Sequence, residues 1–135
     1  MGTIKGLTLW QPWAWCVAAA GKRIENRTWK PPRARMGEWL AIHAGQKFDP
    51  TAARQLAELG FEELPAEASR KGAIVAVARL VAVVEDSNDP WFCGPVGWVL
   101  DDVKRIQPLP CAGSQGLWTL PDPVLVELRK RWKGR

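Results

Sequence analysis

The run from Leu7 to Trp29, LTLWQPWAWCVAAAGKRIENRTW, restricts the fold more than any other part of the chain. Leu7-Thr8-Leu9-Trp10 is a short apolar run suited to a buried strand. Gln11-Pro12 turns it into a helix, since proline is well placed at the first helical position, where its missing N–H has no partner to lose. Trp13 to Ala20 carries that helix, and Gly21 is its left-handed stop. Lys22, Glu25 and Arg27 follow at once on a segment that reads as a second strand. Strand, capped helix and charged strand, wrapped in tryptophan, make one wall of a pocket.

The remaining residues read as the frame of that wall. Lys30-Pro31-Pro32-Arg33 is an extended connector, because two consecutive prolines remove donors and restrict the backbone. Gly37 admits a strand over Glu38 to Ala44, with Leu40 and Ile42 facing inward and Trp39 and His43 together on the other face. Asp49-Pro50 is an N-cap with proline at the first helical position, opening a helix over Thr51 to Leu59 that Gly60 closes. Phe61 to Lys71 reads as loop with a short turn. Ala73 to Val84, AIVAVARLVAVV, favours one long, bent strand. Asp86 to Pro95 is a polar loop, Val96 to Arg105 a strand broken by Pro108-Leu109-Pro110, and Leu117 to Leu120 a last short strand. Asp122-Pro123 caps a final helix, Val124 to Arg131, with cations at the end where the dipole favours them. Six strands and two or three short helices that do not alternate as βαβ units predict a mainly β, α+β fold. The architecture expected is a small, closed or nearly closed β-barrel with peripheral helices, residues 1–135 forming one domain.

With 135 residues the chain has material for a core without staples. No stretch of eighteen apolar residues predicts a membrane span, and no leader-like segment precedes the first strand. Cys16, Cys93 and Cys111 form no CxxC pair and there is one histidine, so neither a metal site nor another cofactor is expected. Dispersed cysteines fit a reducing cytoplasm. The net charge of +5 suits an anionic partner such as nucleic acid, yet five cations (Arg129, Lys130, Arg131, Lys133 and Arg135) crowd the last seven positions and read equally as a solvated tail.

Nine tryptophans with no tyrosine offer both core filling and stacking faces for bases. Trp98 and Trp118 read as core. Trp10, Trp13 and Trp29 are expected beside the charged strand. On that strand Arg23, Glu25 and Arg27 share a face while Ile24 points into the core. The plain reading is an ion pair ordering a sheet edge. The functional reading places Lys22 at the helix-to-strand junction, partly desolvated by tryptophan, with Glu25 supporting its charge. Gln11 either reads a base edge with its amide or bonds backbone at the helix start. His43 is a general base, a stacking ring or a satisfied strand histidine. Ser114-Gln115-Gly116 is a polar loop that either closes over a ligand or simply turns.

The three stretches LTLWQPWAWCVAAAGKRIENRTW, GEWLAIHA and GWVLDDVKRIQPLPCAGSQGLWTLP resemble the ASCH domain family, compact relatives of PUA domains, and its small bacterial and phage-borne branch in particular. Lys22, Glu25 and Arg27 match the family signature G-x-K-x-x-E-x-R. Its first glycine is Ala20 here, with Gly21 at the variable position. The resemblance implies a PUA-like barrel with a cleft between the first helix and the barrel, lined by signature residues and acting on RNA. One group of small members removes the acetyl group of N4-acetylcytidine with a lysine, a threonine and a glutamate. The lysine carries over to Lys22, the threonine position is Glu25, and the third residue has no matching position. Another member is a ribonuclease.

Two functions of different class follow, with a third beside them. The first is a module binding RNA or a modified nucleoside, DNA being the other candidate strand. Its ligand-contacting set is Trp10, Gln11, Trp13, Lys22, Glu25, Arg27, Trp29 and His43, Arg27 suiting phosphate and Glu25 an exocyclic amine. The second is a hydrolase on a modified pyrimidine, or a ribonuclease, with Lys22 and Glu25 catalytic. The third is a non-catalytic protein-interaction module.

Overall fold

The computed structural model describes residues 4–133. Strand β1 (Lys5–Gln11) leads into helix α1 (Trp13–Ala19), then strand β2 (Ile24–Arg27), strand β3 (Trp39–Phe48) and helix α2 (Ala52–Glu58). Strands β4 (Ala73–Val84), β5 (Val96–Pro110) and β6 (Leu117–Thr119) and helix α3 (Asp122–Lys133) complete the chain. The six strands form one sheet in the order β2-β5-β4-β3-β1-β6, with β1 and β3 parallel and the other pairs antiparallel. The fold is α+β, and the sheet is barrel-like without closing, because β2 and β6 end it and do not pair with each other.

Two cores lie on opposite faces of this sheet. One gathers Leu7, Leu9, Ala14, Val17, Leu40, Ile42, Leu80 and Trp98 beneath α1. The other holds Ala41, Ile74, Val77, Ile106 and Leu109 beneath α3, which contributes its fully buried Leu128. Trp39 and His43 stand on this second face as the alternation predicts. Trp39 meets Trp132 of α3 edge-on at 4.6 Å, and His43 meets Trp118 of β6 at 5.4 Å. Gly6 is where β1 passes over Trp118, and a Cβ there would sit 2.3 Å from the indole ring.

Several boundaries differ from expectation for local reasons. Pro12 is the N-cap of α1, one position before the helix, and its carbonyl accepts from the Cys16 amide at 2.9 Å. The α2 start moves to Ala52, because the Asp49 carboxylate binds the amide and hydroxyl of Thr51 at 2.9 and 2.7 Å and folds those residues into a turn. Strand β5 runs five residues beyond Arg105, through both prolines. Its partner β2 reaches only Val99, so the distal half has a free edge. The Cys111 amide points across to Gly72 on the β4 side, so strand alternation turns the nitrogens of Pro108 and Pro110 outward, where no ladder bond is needed. Helix α3 begins at Asp122 and continues to Lys133, taking up four of the five C-terminal cations, while Arg135 lies outside the described residues. They are not a free tail: Arg131 donates to Glu127 at 3.1 Å and to the carbonyls of Gln107 and Pro108.

Candidate functional site

The junction between α1 and β2 is built as the spacing predicts. Gly21 has φ +80, and the Ala20 and Lys22 amides both end on the Cys16 carbonyl. That turn aims Lys22 inward, where it is 3% exposed. Its ammonium donates to the Ile24 carbonyl and lies 3.0 Å from Glu25 Oε1. Glu25 Oε2 is 3.1 Å from Arg27 Nε, at ion-pair distance but out of line for a hydrogen bond. The Arg27 guanidinium then donates to the Thr8 carbonyl of β1 at 2.9 Å. Strands β2 and β1 stand four places apart in the sheet order, so this contact exists only because the sheet curls.

The charged face of β2 is therefore its inner one. Glu25 sits opposite Trp98 of β5, and directly opposed residues project to the same side, here toward the α1 core. Ile24 is buried as well, but on the other side, where with Gly97 it underlies the 86–95 loop through Phe92. Ile24 is buried as expected, but under the loop, while Glu25 on the opposite side of the strand faces the α1 core instead of an outer edge.

Lys22 and Glu25 open at one end onto a cleft of about 400 Å³ between α1, α2 and the 86–95 loop. Trp13 and Trp91 wall it, with Asn26, Asp49 and Glu58 beside them. Asn26 pins the loop: its amide donates to the Trp91 carbonyl at 3.0 Å and its oxygen accepts from the Cys93 and Gly94 amides at 2.8 and 3.0 Å. Asp49 receives the Trp13 indole N–H at 2.9 Å. Partial burial opposes ionisation of Asp49, but the bonds from Thr51 and Trp13 outweigh it and hold its carboxyl below the usual range. Cys16, beneath the cleft, has its thiol pushed up to about 12 by burial despite the Lys22 ammonium nearby, and is unreactive there.

A family model for the ASCH domain matches residues 7–92, a span that holds every lining residue of this cleft except Cys93. The chain belongs to the ASCH domain family. Among solved structures it is similar to the ASCH protein of Zymomonas mobilis, at 15% identity and TM-score 0.63 over 95% of this chain and 94% of that one. Two point mutants of that protein match likewise, at 15% identity and TM-score 0.63 over 96% and 98%, and at 16% and 0.58 over 95% of each chain. At such identities the likeness is one of fold. No curated protein sequence matches this one.

Of the side chains predicted to form the site, this ASCH domain gathers Trp13, Lys22 and Glu25 at the cleft and distributes the others. Trp10 is 48% exposed on the outer surface, with the Lys47 ammonium 5.3 Å above its ring. Trp29 packs edge-on against Trp98 at 4.8 Å. Arg27 lies behind Glu25 and does not line the cleft. Gln11 is fully buried and spends its amide on backbone: Nε2 donates to the Arg70 carbonyl at 2.8 Å, and Oε1 accepts from the Trp15 amide at 2.9 Å. It thereby caps one of the orphan amides at the start of α1. Asn26, Asp49 and Trp91 join the site without a sequence signal that marks them for it. Asp49-Pro50 carried only a helix-start signal, and Asn26 lay hidden between two charges. The described residues contain no cluster suited to a metal ion and no helix long and apolar enough to cross a membrane.

His43 lies away from the cleft. Its Nε2 faces the Cys111 carbonyl at 2.8 Å and therefore carries the proton, leaving Nδ1 to accept from the Thr8 hydroxyl at 3.1 Å. That hydroxyl in turn accepts from the Trp118 indole. Burial lowers the pKa of His43 below 6.5, and the bond to Cys111 opposes this only in part. The unfolded chain thus takes up this proton at a higher pH than the folded one. The stability contributed by neutral His43 is complete above about pH 6.5 and is lost as pH falls through the lower folded value. Urea midpoints should drop as the pH falls below about 6.5, and His43→Gln should flatten that drop. An equal drop in the variant would place the titration elsewhere.

Proposed function

We propose that this ASCH domain binds a nucleoside, free or as an unstacked residue of RNA, in the cleft floored by Lys22 and Glu25. The observation that carries this reading is the lining itself. A volume of about 400 Å³ lies within the range of small-ligand sites. Two tryptophans offer stacking surface, and the carboxylates of Glu25, Asp49 and Glu58 outnumber the one cation, Lys22. Such a lining accepts hydrogen bonds from exocyclic amines, ring N–H groups and ribose hydroxyls, and it repels phosphate. ASCH domains as a family are thought to bind RNA, which supports the same ligand class. Calorimetric titration with cytidine, N4-acetylcytidine and short RNAs tests it. Trp91→Ala should weaken binding by about 1–3 kcal/mol, the worth of one stacked base. Failure of every nucleoside and RNA to bind at low salt would leave a protein-interaction role.

One observation favours a catalytic version of the same site. The Lys22 ammonium and the Glu25 carboxylate, 3.0 Å apart at the cleft floor, form a pair able to pass a proton. On N4-acetylcytidine, addition of water to the acetyl carbonyl and cleavage of its C–N bond release acetate, and the pair returns a proton to the departing amine. Chromatographic detection of cytidine should show turnover that Lys22→Ala abolishes while the variant remains folded. An inactive wild type, or an active variant, removes the hydrolase and leaves the binding module.

A further inference from the structure

A second cavity, of about 500 Å³, opens on a different face of α1 and shares no lining residue with the first. Trp15 of α1 forms part of its wall, and the buried Gln11 amide closes its inner end by tying α1 to the turn that carries Glu67 and Arg70. Three arginines from three separate elements meet there: Arg70 from that turn, Arg105 from the free-edged half of β5, and Arg131 from α3. Glu67 is the one carboxylate in the lining, against three cations, the inverse of the first cleft. Glu67 engages Arg105 at 3.0 Å in a half-exposed pair, and Arg131 is paired with Glu127 at 3.1 Å and braced on the Gln107 and Pro108 carbonyls. Among the described residues the Arg70 guanidinium has no ion-pair partner.

We infer that this groove carries the phosphodiester backbone of a single RNA strand, while bases are read elsewhere. Arginines spread along a groove, partly held by carbonyls and set against an apolar and aromatic wall, suit successive phosphates better than one point charge. The choice of RNA as the strand rests on the proposed function; the excess of positive charge does not.

The test measures affinity of the full chain for an oligouridine of about ten nucleotides at several salt concentrations, where each phosphate contact with a single strand contributes about 0.7 to the slope of log K against log salt. Replacing Arg70 and Arg105 together by glutamine should lower the slope by about 1.4 in magnitude, a sevenfold smaller loss of affinity between about 50 and 200 mM salt. Arg131 is left intact because it braces α3. Both replaced side chains are at the surface, so thermal unfolding should be near that of the wild type. An unchanged slope in the folded double variant overturns the inference, as does a slope that Lys22→Ala reduces equally. Nucleoside affinity at the first cleft, measured on the same variant, should stay at the wild-type value. Its retention with an unchanged slope would refute the groove alone, whereas loss of nucleoside binding by the wild type would refute the cleft reading alone.

Discussion

Glu25→Ala should destabilise the protein by about 3–5 kcal/mol, the cost of leaving buried charge without its counter-ion. Glu25 is the one carboxylate between two inward cations, with side-chain exposures of 4% for Lys22 and 20% for Arg27. Without it, among the described residues Lys22 keeps the Ile24 carbonyl and Arg27 the Thr8 carbonyl as hydrogen-bond partners. The loss should appear as a large fall in urea midpoint. Lys22→Met should cost less, because Glu25 then still faces Arg27 and no charge is orphaned. This ordering matters for function: it makes Lys22, not Glu25, the position where a loss of binding or turnover reports on the site. A Glu25→Ala penalty under about 1 kcal/mol would show that the three charges behave as a solvated surface pair.

The second large effect is expected at Trp98. Its side chain is fully buried, meets Trp29 edge-on, and donates its indole N–H to the Trp29 carbonyl at 3.0 Å. It thus fastens the segment after β2 to β5, directly opposite Glu25. Trp98→Ala should cost about 3–5 kcal/mol through lost transfer energy and the cavity left behind. Trp98→Phe should keep part of the packing and give up the hydrogen bond, worth about 1 kcal/mol. Near-ultraviolet circular dichroism should lose the signal of the Trp29–Trp98 pair in both. A Trp98→Ala protein as stable as the wild type would mean that β2 is held by its ladder and ion chain alone.

Features set by local backbone preference agree with expectation, and those set by long-range contacts depart from it. Strand β4 has the ends its composition predicts, since valine and isoleucine recur throughout Ala73 to Val84 with no glycine or proline among them. Gly21 ends α1 because a positive φ needs no tertiary support there. The prolines of β5 mislead because their cost depends on which edge is paired, and β2 is too short to pair it. Trp10 and Trp29 flank the charged strand in sequence but not in space. Trp10 leaves β1 on its outer side, and Trp29 is drawn away by Trp98. Trp91 takes its place at the cleft because Asn26 anchors its loop to β2.

The sequence by itself determined the strand–helix–strand wall, the junction that turns Lys22 inward, and the spacing of Lys22, Glu25 and Arg27. All of these follow from the backbone preferences of proline and glycine and from residues close together in the chain. Only the tertiary structure decided which way that charged strand faces. Its inner side is set by antiparallel pairing with β5 and by the curl that brings Thr8 to Arg27, contacts between residues far apart in the chain that no local pattern encodes. The same long-range placement divided the cations from the carboxylates, giving one acid-lined cleft and one arginine-lined groove on a single short helix.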